Sequence, residues 1–219
     1  MKNFIAVLLF GLFGFAFGHG YSLPENFWDD VKILKFDDHG WMREYNKIKI
    51  KEFIGKQKIK TAVELGTWLG QSALFIATLL PSPGVLYCVD TWDGFSESIP
   101  GTQYPYPSLG LSNKVENQYE KFLSNVKQMH LTEKIIPVRM KTHEASKVLD
   151  IKADLIYIDA SHDEKSVYQD IIDWSPKLNP NGIICGDDYD HASVKNAVQG
   201  ASITLNKKVC YLGSFWWLE

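Results

Sequence analysis

Several chemical signatures are missing from this 219-residue sequence, and each absence excludes a class of protein. No C-x-x-C pair occurs. The three cysteines, Cys88, Cys185 and Cys210, are odd in number, which argues against a disulfide framework or a zinc site. Each lies in an apolar run and reads as a buried thiol. There is no G-x-G-x-x-G, no Walker lysine and no G-x-S-x-G elbow, so a pyrophosphate cradle and a hydrolase nucleophile are both disfavoured. The absence of any N-x-S/T acceptor is mild evidence against a glycosylated secretory product. Dense basic runs are lacking too, and a net charge of -3 gives no general attraction to phosphate backbones, so no nucleic-acid partner is expected. The nearest approach to such a run is Lys47, Lys49, Lys51, Lys56, Lys58 and Lys60. Its spacing fits the solvated face of a helix and its exit.

What is present begins with a leader. In residues 1–20 one positive charge, Lys2, precedes an apolar run from Phe4 to Phe17, and a small-x-small pattern at Ala16-Phe17-Gly18 follows. That is the layout of a secretory signal peptide, and the run is short beside the roughly 20 apolar residues of a spanning helix. Residues 1–20 are therefore expected to be a signal peptide or membrane anchor. The expected location is the secretory pathway, exported or anchored through residues 4–17, with a cytosol-facing anchor as the alternative.

Residues 21–58 read as an amphipathic helical segment with two apolar clusters. One is Trp28, Val31, Ile33 and Leu34; the other is Trp41, Tyr45, Ile48 and Phe53, with Asp37 or Asp38 as a cap. From residue 59 to 219 the pattern becomes that of one domain. Strands are expected at Lys60–Leu65, Val85–Asp90, Ile135–Arg139, Ala153–Asp159 and Gly182–Gly186. Helices are expected at Gln71–Leu80, Asn113–His130, His143–Leu149, Glu164–Leu178 and Ala192–Asn206. Strand and helix alternating in this way imply an α/β fold: a Rossmann-like, doubly wound, mostly parallel seven-stranded sheet. Its last two strands form a C-terminal antiparallel hairpin around Gly213. The stretch Gly94–Leu111 interrupts this order. It is rich in Gly, Pro, Ser and Tyr, and Tyr104 and Tyr106 suit a substrate lid.

Chemistry concentrates at the expected strand ends. In Val63-Glu64-Leu65-Gly66-Thr67-Trp68-Leu69-Gly70-Gln71-Ser72 a strand runs into a helix through two glycines, which permit a tight turn and close backbone approach to a ligand. Glu64 would repel phosphate there but suit a cationic ligand. Asp90 closes the next strand, placed to accept from the hydroxyls of a ribose. Asp159 and Asp187 end two further strands, with Asp188 adjacent and His162 three residues beyond Asp159. Converging carboxylates need a cation or protons between them, and an oxygen-rich set suits Mg²⁺, Mn²⁺ or Ca²⁺. His162 suits a general base near neutral pH.

Taken in order, VELGTWLGQS, CVDTWDG, IDASH, the W-x-P-x-L-x-P-x-G of Trp174–Gly182 and GDDY resemble the class I S-adenosylmethionine-dependent methyltransferases. The resemblance runs from about Thr61 to the C-terminus, and the nearest branch is the metal-dependent small-molecule O-methyltransferases. It implies that Glu64 and Gly66, with Ser72 nearby, line the methionine part of S-adenosylmethionine. Asp90 would bind the ribose, and Thr142 and His143 would contact adenine. Asp159, Asp187 and Asp188 would hold a divalent cation, Mg²⁺ by preference, with Asp159 and His162 catalytic. Many relatives have Gly-His-Asp-Tyr where this chain has Gly186-Asp187-Asp188-Tyr189. The implied reaction is methyl transfer to a hydroxyl of a small molecule or sugar. A nicotinamide-dependent oxidoreductase and a non-catalytic adenosyl-ligand-binding module are the alternatives.

Overall fold

A computed structural model describes residues 21–93 and 117–219. The leader 1–20, the insert Gly94–Leu111 and the start of the expected Asn113–His130 helix lie outside the described residues.

The alternating runs form the seven-stranded sheet. Its strands are β1 (Thr61–Leu65), β2 (Val85–Asp90), β3 (Ile135–Arg139), β4 (Ala153–Ile158), β5 (Leu178–Gly186), β6 (Val209–Leu212) and β7 (Phe215–Leu218). They lie in the order β3-β2-β1-β4-β5-β7-β6. Pairs from β3 through β5 are parallel, and β7 is antiparallel to both β5 and β6. The chain reverses between β1-side and β4-side connections, so ligands are expected at the carboxyl ends of these strands.

Among the described residues six α-helices cover the sheet: α1 (Glu44–Lys56), α2 (Gln71–Leu79), α3 (Gln118–Gln128), α4 (Thr142–Val148), α5 (Glu164–Trp174) and α6 (Ala192–Leu205). Strand side chains alternate between two cores. Ala62, Leu86, Cys88, Tyr157 and Cys185 pack under α1, α2 and α3, with Ile50, Ile76 and Phe122. Val63, Leu65, Val89, Ile156 and Ile158 pack under α4, α5 and α6, with Ile171, Trp174 and Val198. Two of the three cysteines are buried as expected; Cys210, on the edge strand β6, is half-buried. Pro176 ends α5 in a short 3-10 turn, four residues before the expected end, because proline lacks the N–H a continuing helix needs. Among the described residues no helix is long and apolar enough to cross a membrane.

The N-terminal segment departs from expectation. A turn occupies 25–30, residues 31–43 carry no regular structure, and helix begins only at Glu44. The reason is tertiary. Beyond the turn at 25–30, with its bonds such as Val31 N to Trp28 O, the segment's backbone is hydrogen-bonded by side chains of α3. Ser124 Oγ accepts from Leu34 N (2.8 Å), and Asn125 Oδ1 accepts from Asp37 N (3.2 Å). Asn125 Nδ2 donates to Asp37 O, Gln128 to Leu34 O, and Lys127 Nζ to Trp28 O and Val31 O. Asp37 caps no helix; it accepts from His39 N and pairs with Lys121. The expected apolar cluster also divides, because α1 buries Asn46, Ile50 and Phe53 while Trp41, Tyr45 and Ile48 stay exposed.

Asn125 is the hub of this strap, since its fully buried amide also donates to Leu69 O. Asn125→Ala leaves buried carbonyls unsatisfied and is expected to cost roughly 2–4 kcal/mol, more than one ordinary hydrogen bond. Urea unfolding measures the loss, and limited proteolysis should show new cleavage within residues 31–43.

Candidate active site

The tips of β1 and β4 touch. Gly66 sits at φ +83°, and a Cβ there would overlap the Asp159 carbonyl oxygen and lie 2.5 Å from Ala160 Cα. Asp159 N donates to Leu65 O (2.8 Å) and Gly66 N to Val89 O (2.9 Å), which ties the ends of β4, β1 and β2 together. Gly70, at φ +95°, lies against the Phe122 ring. The glycines therefore serve the protein's own close packing before any ligand arrives. The bulky Trp68 and Trp92 adopt positive φ of 53° and 51° between these points. Trp92 Nε1 donates to Trp68 O (2.7 Å), and its ring stacks on Phe122. Such contacts hold an unfavoured backbone in place.

Asp90 organises this turn. Its Oδ2 accepts from Thr67 N (2.8 Å) and Trp68 N (2.9 Å), and its Oδ1 accepts from Trp92 N (2.8 Å). Oδ1 receives one N–H and keeps acceptor capacity, as a carboxylate oxygen has two lone pairs. Beside it, Glu64 is fully buried on the α1–α3 side of the sheet. Glu64 Oε2 accepts from Thr67 Oγ1 (2.8 Å), while Oε1 is buried without a hydrogen-bond partner. Burial pushes this carboxyl up to about 8, against a smaller downward pull from the Ser72 and Thr67 hydroxyls. Ser72, in the first turn of α2, is itself buried. A buried carboxyl with one oxygen lacking a hydrogen bond can give up its proton to pair with a positive charge.

A second acidic group lies at the tips of β4 and β5. Ligating atoms of Asp159, His162 and Asp188 all fall within 4.8 Å of one another. His162 Nε2 is 2.9 Å from Asp188 Oδ2. Asp187 lines the same small cavity, but its Oδ1 accepts from Asp188 N (2.7 Å) and it is outside that close set. Burial, then the charges of Asp188 and Asp187, push Asp159 up to about 8. Asp188 goes the other way. Burial raises it, but the His162 hydrogen bond and the nearby charges of His162, His191 and Arg43 hold it below the usual carboxylate range.

Two partners of this group carry no motif and are not foreseen from the sequence. Arg43, the residue before α1, reaches Asp188 Oδ1 (3.4 Å) through Nη2 and Asp190 Oδ2 (3.0 Å) through Nη1. Asn46 Nδ2 donates to Tyr157 Oη (2.9 Å), and that phenol donates to Asp159 Oδ2 (3.4 Å). A buried chain of polar groups thus runs from α1 to the β4 tip. The only advance signal for Asn46 was an amide interrupting the apolar spacing of α1.

Thr142 and His143 start α4, after β3. Thr142 Oγ1 donates to Asp170 (2.6 Å), and the two His143 ring nitrogens meet Asp173 (2.6 Å) and Lys147 (2.7 Å). Both side chains are engaged with α4 and α5 rather than with Glu64 or Asp90.

A glycine-lined turn after β1, a carboxylate at the tip of β2 and a sheet closed by an antiparallel hairpin define a class I methyltransferase architecture. The sequence matches the methyltransferase-domain family over residues 63–189, more than half of the chain, and the chain belongs to that family. By that family the chain is a methyltransferase. Solved structures agree on the fold. NovP, an O-methyltransferase, superposes with a TM-score of 0.63 at 13% identity, covering 80% of this chain and 79% of its own. TomG of Streptomyces achromogenes, an O-methyltransferase solved with S-adenosylmethionine, gives 0.60 at 12% identity, over 81% and 80% of the two chains. An O-methyltransferase of Bacillus cereus, solved with S-adenosylhomocysteine, gives 0.57 at 13% identity, over 87% and 86%. No curated protein matches the chain significantly.

The state of Glu64 has a pH signature. Its pKa rises from 4.5 unfolded to about 8 folded, so between those values the folded state binds more protons. Stability from this group is complete below about 4.5 and is lost as pH rises through about 8. Thermal melts of the ligand-free protein should show the midpoint falling across that window. Glu64→Gln should flatten the fall, and identical slopes for both proteins would refute the assignment.

Proposed function

We propose that this chain transfers the methyl group of S-adenosylmethionine to a hydroxyl oxygen of a small-molecule acceptor, a sugar or another hydroxylated compound. The observation carrying the proposal is the buried, half-partnered carboxyl of Glu64 next to a glycine turn. Once ionised, that carboxyl repels phosphate and is completed by a cationic adenosyl compound, which can replace its proton. Glu64, Gly66 and Ser72 would line the methionine part, and the remaining acceptor capacity of Asp90 would take a ribose hydroxyl. Thr142 and His143 are assigned to the adenine side only by their place after β3.

In the transfer the carbon–sulfur bond breaks as the carbon–oxygen bond forms, and the hydroxyl proton must leave. His162 is proposed to take it. Asp188, at 2.9 Å, orients the imidazole and stabilises the imidazolium that results. The Asn46–Tyr157 chain holds Asp159 in place. Positioning of acceptor and methyl group on one axis supplies much of the remaining acceleration.

Two carboxylates and an imidazole within 4.8 Å fit a divalent cation. Asp159 and Asp188, with Asp187 on the same cavity, would hold it, and when bound it lowers the pKa of the acceptor hydroxyl and orients it. A second reading has its own observation. Arg43 already supplies Asp188 and Asp190 with a positive charge, so the acidic group can be balanced by the protein alone. For residues 1–20 the proposal remains a signal peptide or anchor in the secretory pathway.

Turnover with a hydroxylated acceptor panel, with and without EDTA, separates these readings. Asp159→Ala should abolish turnover yet leave S-adenosylhomocysteine affinity within a few-fold, whereas Glu64→Ala should weaken that affinity by roughly 2–4 kcal/mol. Mg²⁺-restored activity supports the cation; full activity in EDTA supports Arg43. Failure to bind either adenosyl compound would sink the proposal altogether, and binding without transfer to any acceptor would make the chain a binding module.

A further inference from the structure

At the opposite, amino edge of the sheet is a cleft of about 530 Å³. It lies between the last turns of α1, the connection into β1 and the end of α2. Ile54, Leu79 and Pro81 give it an apolar side, and Lys51, Lys58 and Lys60 give it a basic one; among the described residues no carboxylate lines it. From here β1 runs five residues to the Glu64–Gly66 turn, about 15 Å at a strand's rise, so the cleft is separate from the site above.

The lysines of this region are not equivalent. Lys47 pairs with Glu44, while Lys49 and Lys56 share Glu52. Lys51, Lys58 and Lys60 pair with no carboxylate among the described residues. The local carboxylate, Asp154, has its Oδ2 on the backbone N–H groups of Lys60 and Thr61 and its Oδ1 on Asn179. Nor do the three lysines serve the C-terminal carbonyls of α2, because Lys134 Nζ donates to Ala77 O (3.1 Å) and Leu80 O (2.6 Å). Lys51 Nζ rests 5.6 Å from the centre of the Phe75 ring. Three ammonium groups without a direct carboxylate pair, with Glu44 and Asp154 acting on Lys51 and Lys60 only through space, around a cleft with an apolar wall select an anion that has an apolar part.

We propose that this cleft binds a phosphate-bearing amphiphile, with the phosphate on Lys51, Lys58 and Lys60 and the apolar portion against Ile54, Leu79 and Pro81. The ligand is either an anionic phospholipid headgroup at a membrane surface or a soluble alkyl phosphate. This inference is independent of the methyl-transfer reading.

The test uses the full chain and the triple variant Lys51→Gln, Lys58→Gln, Lys60→Gln. Flotation with phosphatidylcholine vesicles, with and without phosphatidylglycerol, is compared with calorimetry using hexyl phosphate. The leader, with Lys2, is common to wild type and variant, so its contribution cancels when the two proteins are compared on the same vesicles. A preference for anionic vesicles that drops on the order of a hundredfold in the variant establishes the lipid source. Hexyl phosphate binding without vesicle preference, again lost in the variant, establishes the soluble source. Neither interaction, or equal binding by the variant, overturns the proposal. S-adenosylhomocysteine affinity is measured on both proteins. If it is unchanged, the variant is folded, and the fate of the cleft stays distinct from that of the methyltransferase site.

Discussion

The contact between Gly66 and the Asp159 carbonyl is the constraint on which the rest of the site depends. A side chain at residue 66 would force the tips of β1 and β4 apart. With them together, carboxyl groups from three adjacent strands meet at one edge of the sheet, where each raises the electrostatic cost of the next. The molecule meets that cost in several ways. Asp90 is satisfied by three backbone N–H groups. Asp188 is satisfied by an imidazole and a guanidinium. Glu64 and Asp159 are buried and retain their protons near neutrality.

These solutions fall into two kinds with different uses. Groups satisfied by the backbone are fixed architecture, and Asp90 shapes the turn whether or not a ribose is present. Groups that hold a proton only for want of a cation are responsive, since a positive ligand can replace that proton. Glu64 is the clearest case, because its Oε1 is buried without a well-formed hydrogen bond. The same sorting applies at the far edge of the sheet with the sign reversed. There half of the α1-region lysines pair with glutamates, and the others line a cleft without forming such pairs.

The central sheet was legible in the sequence because buried parallel strands write continuous apolar runs, and VELG and YIDA place their carboxylates at the strand ends by position alone. The acidic cluster followed from that order. The N-terminal segment was not legible. Its apolar spacing reads as helix, but its backbone partners are Ser124, Asn125, Lys127 and Gln128, some ninety residues away. Local periodicity holds no record of a bond made by a distant side chain. Arg43 was missed for the same reason: it reaches the cluster only because this strap brings the chain across α3 before α1 begins. Glycine roles were half legible. The turn was foreseen, but its need for protein–protein contact, rather than ligand approach, required knowing that β4 lies beside β1.

The lacing of residues 28–37 to α3 has a further consequence. Six residues beyond the laced stretch comes Arg43, the residue that reaches Asp188. Helix α3 and Arg43 are thus linked through the strap, with Asn125 as its pin. A substitution that displaces Asn125 would therefore also move the guanidinium at the acidic cluster. The strap and the cluster are coupled in this way although no sequence motif joins them.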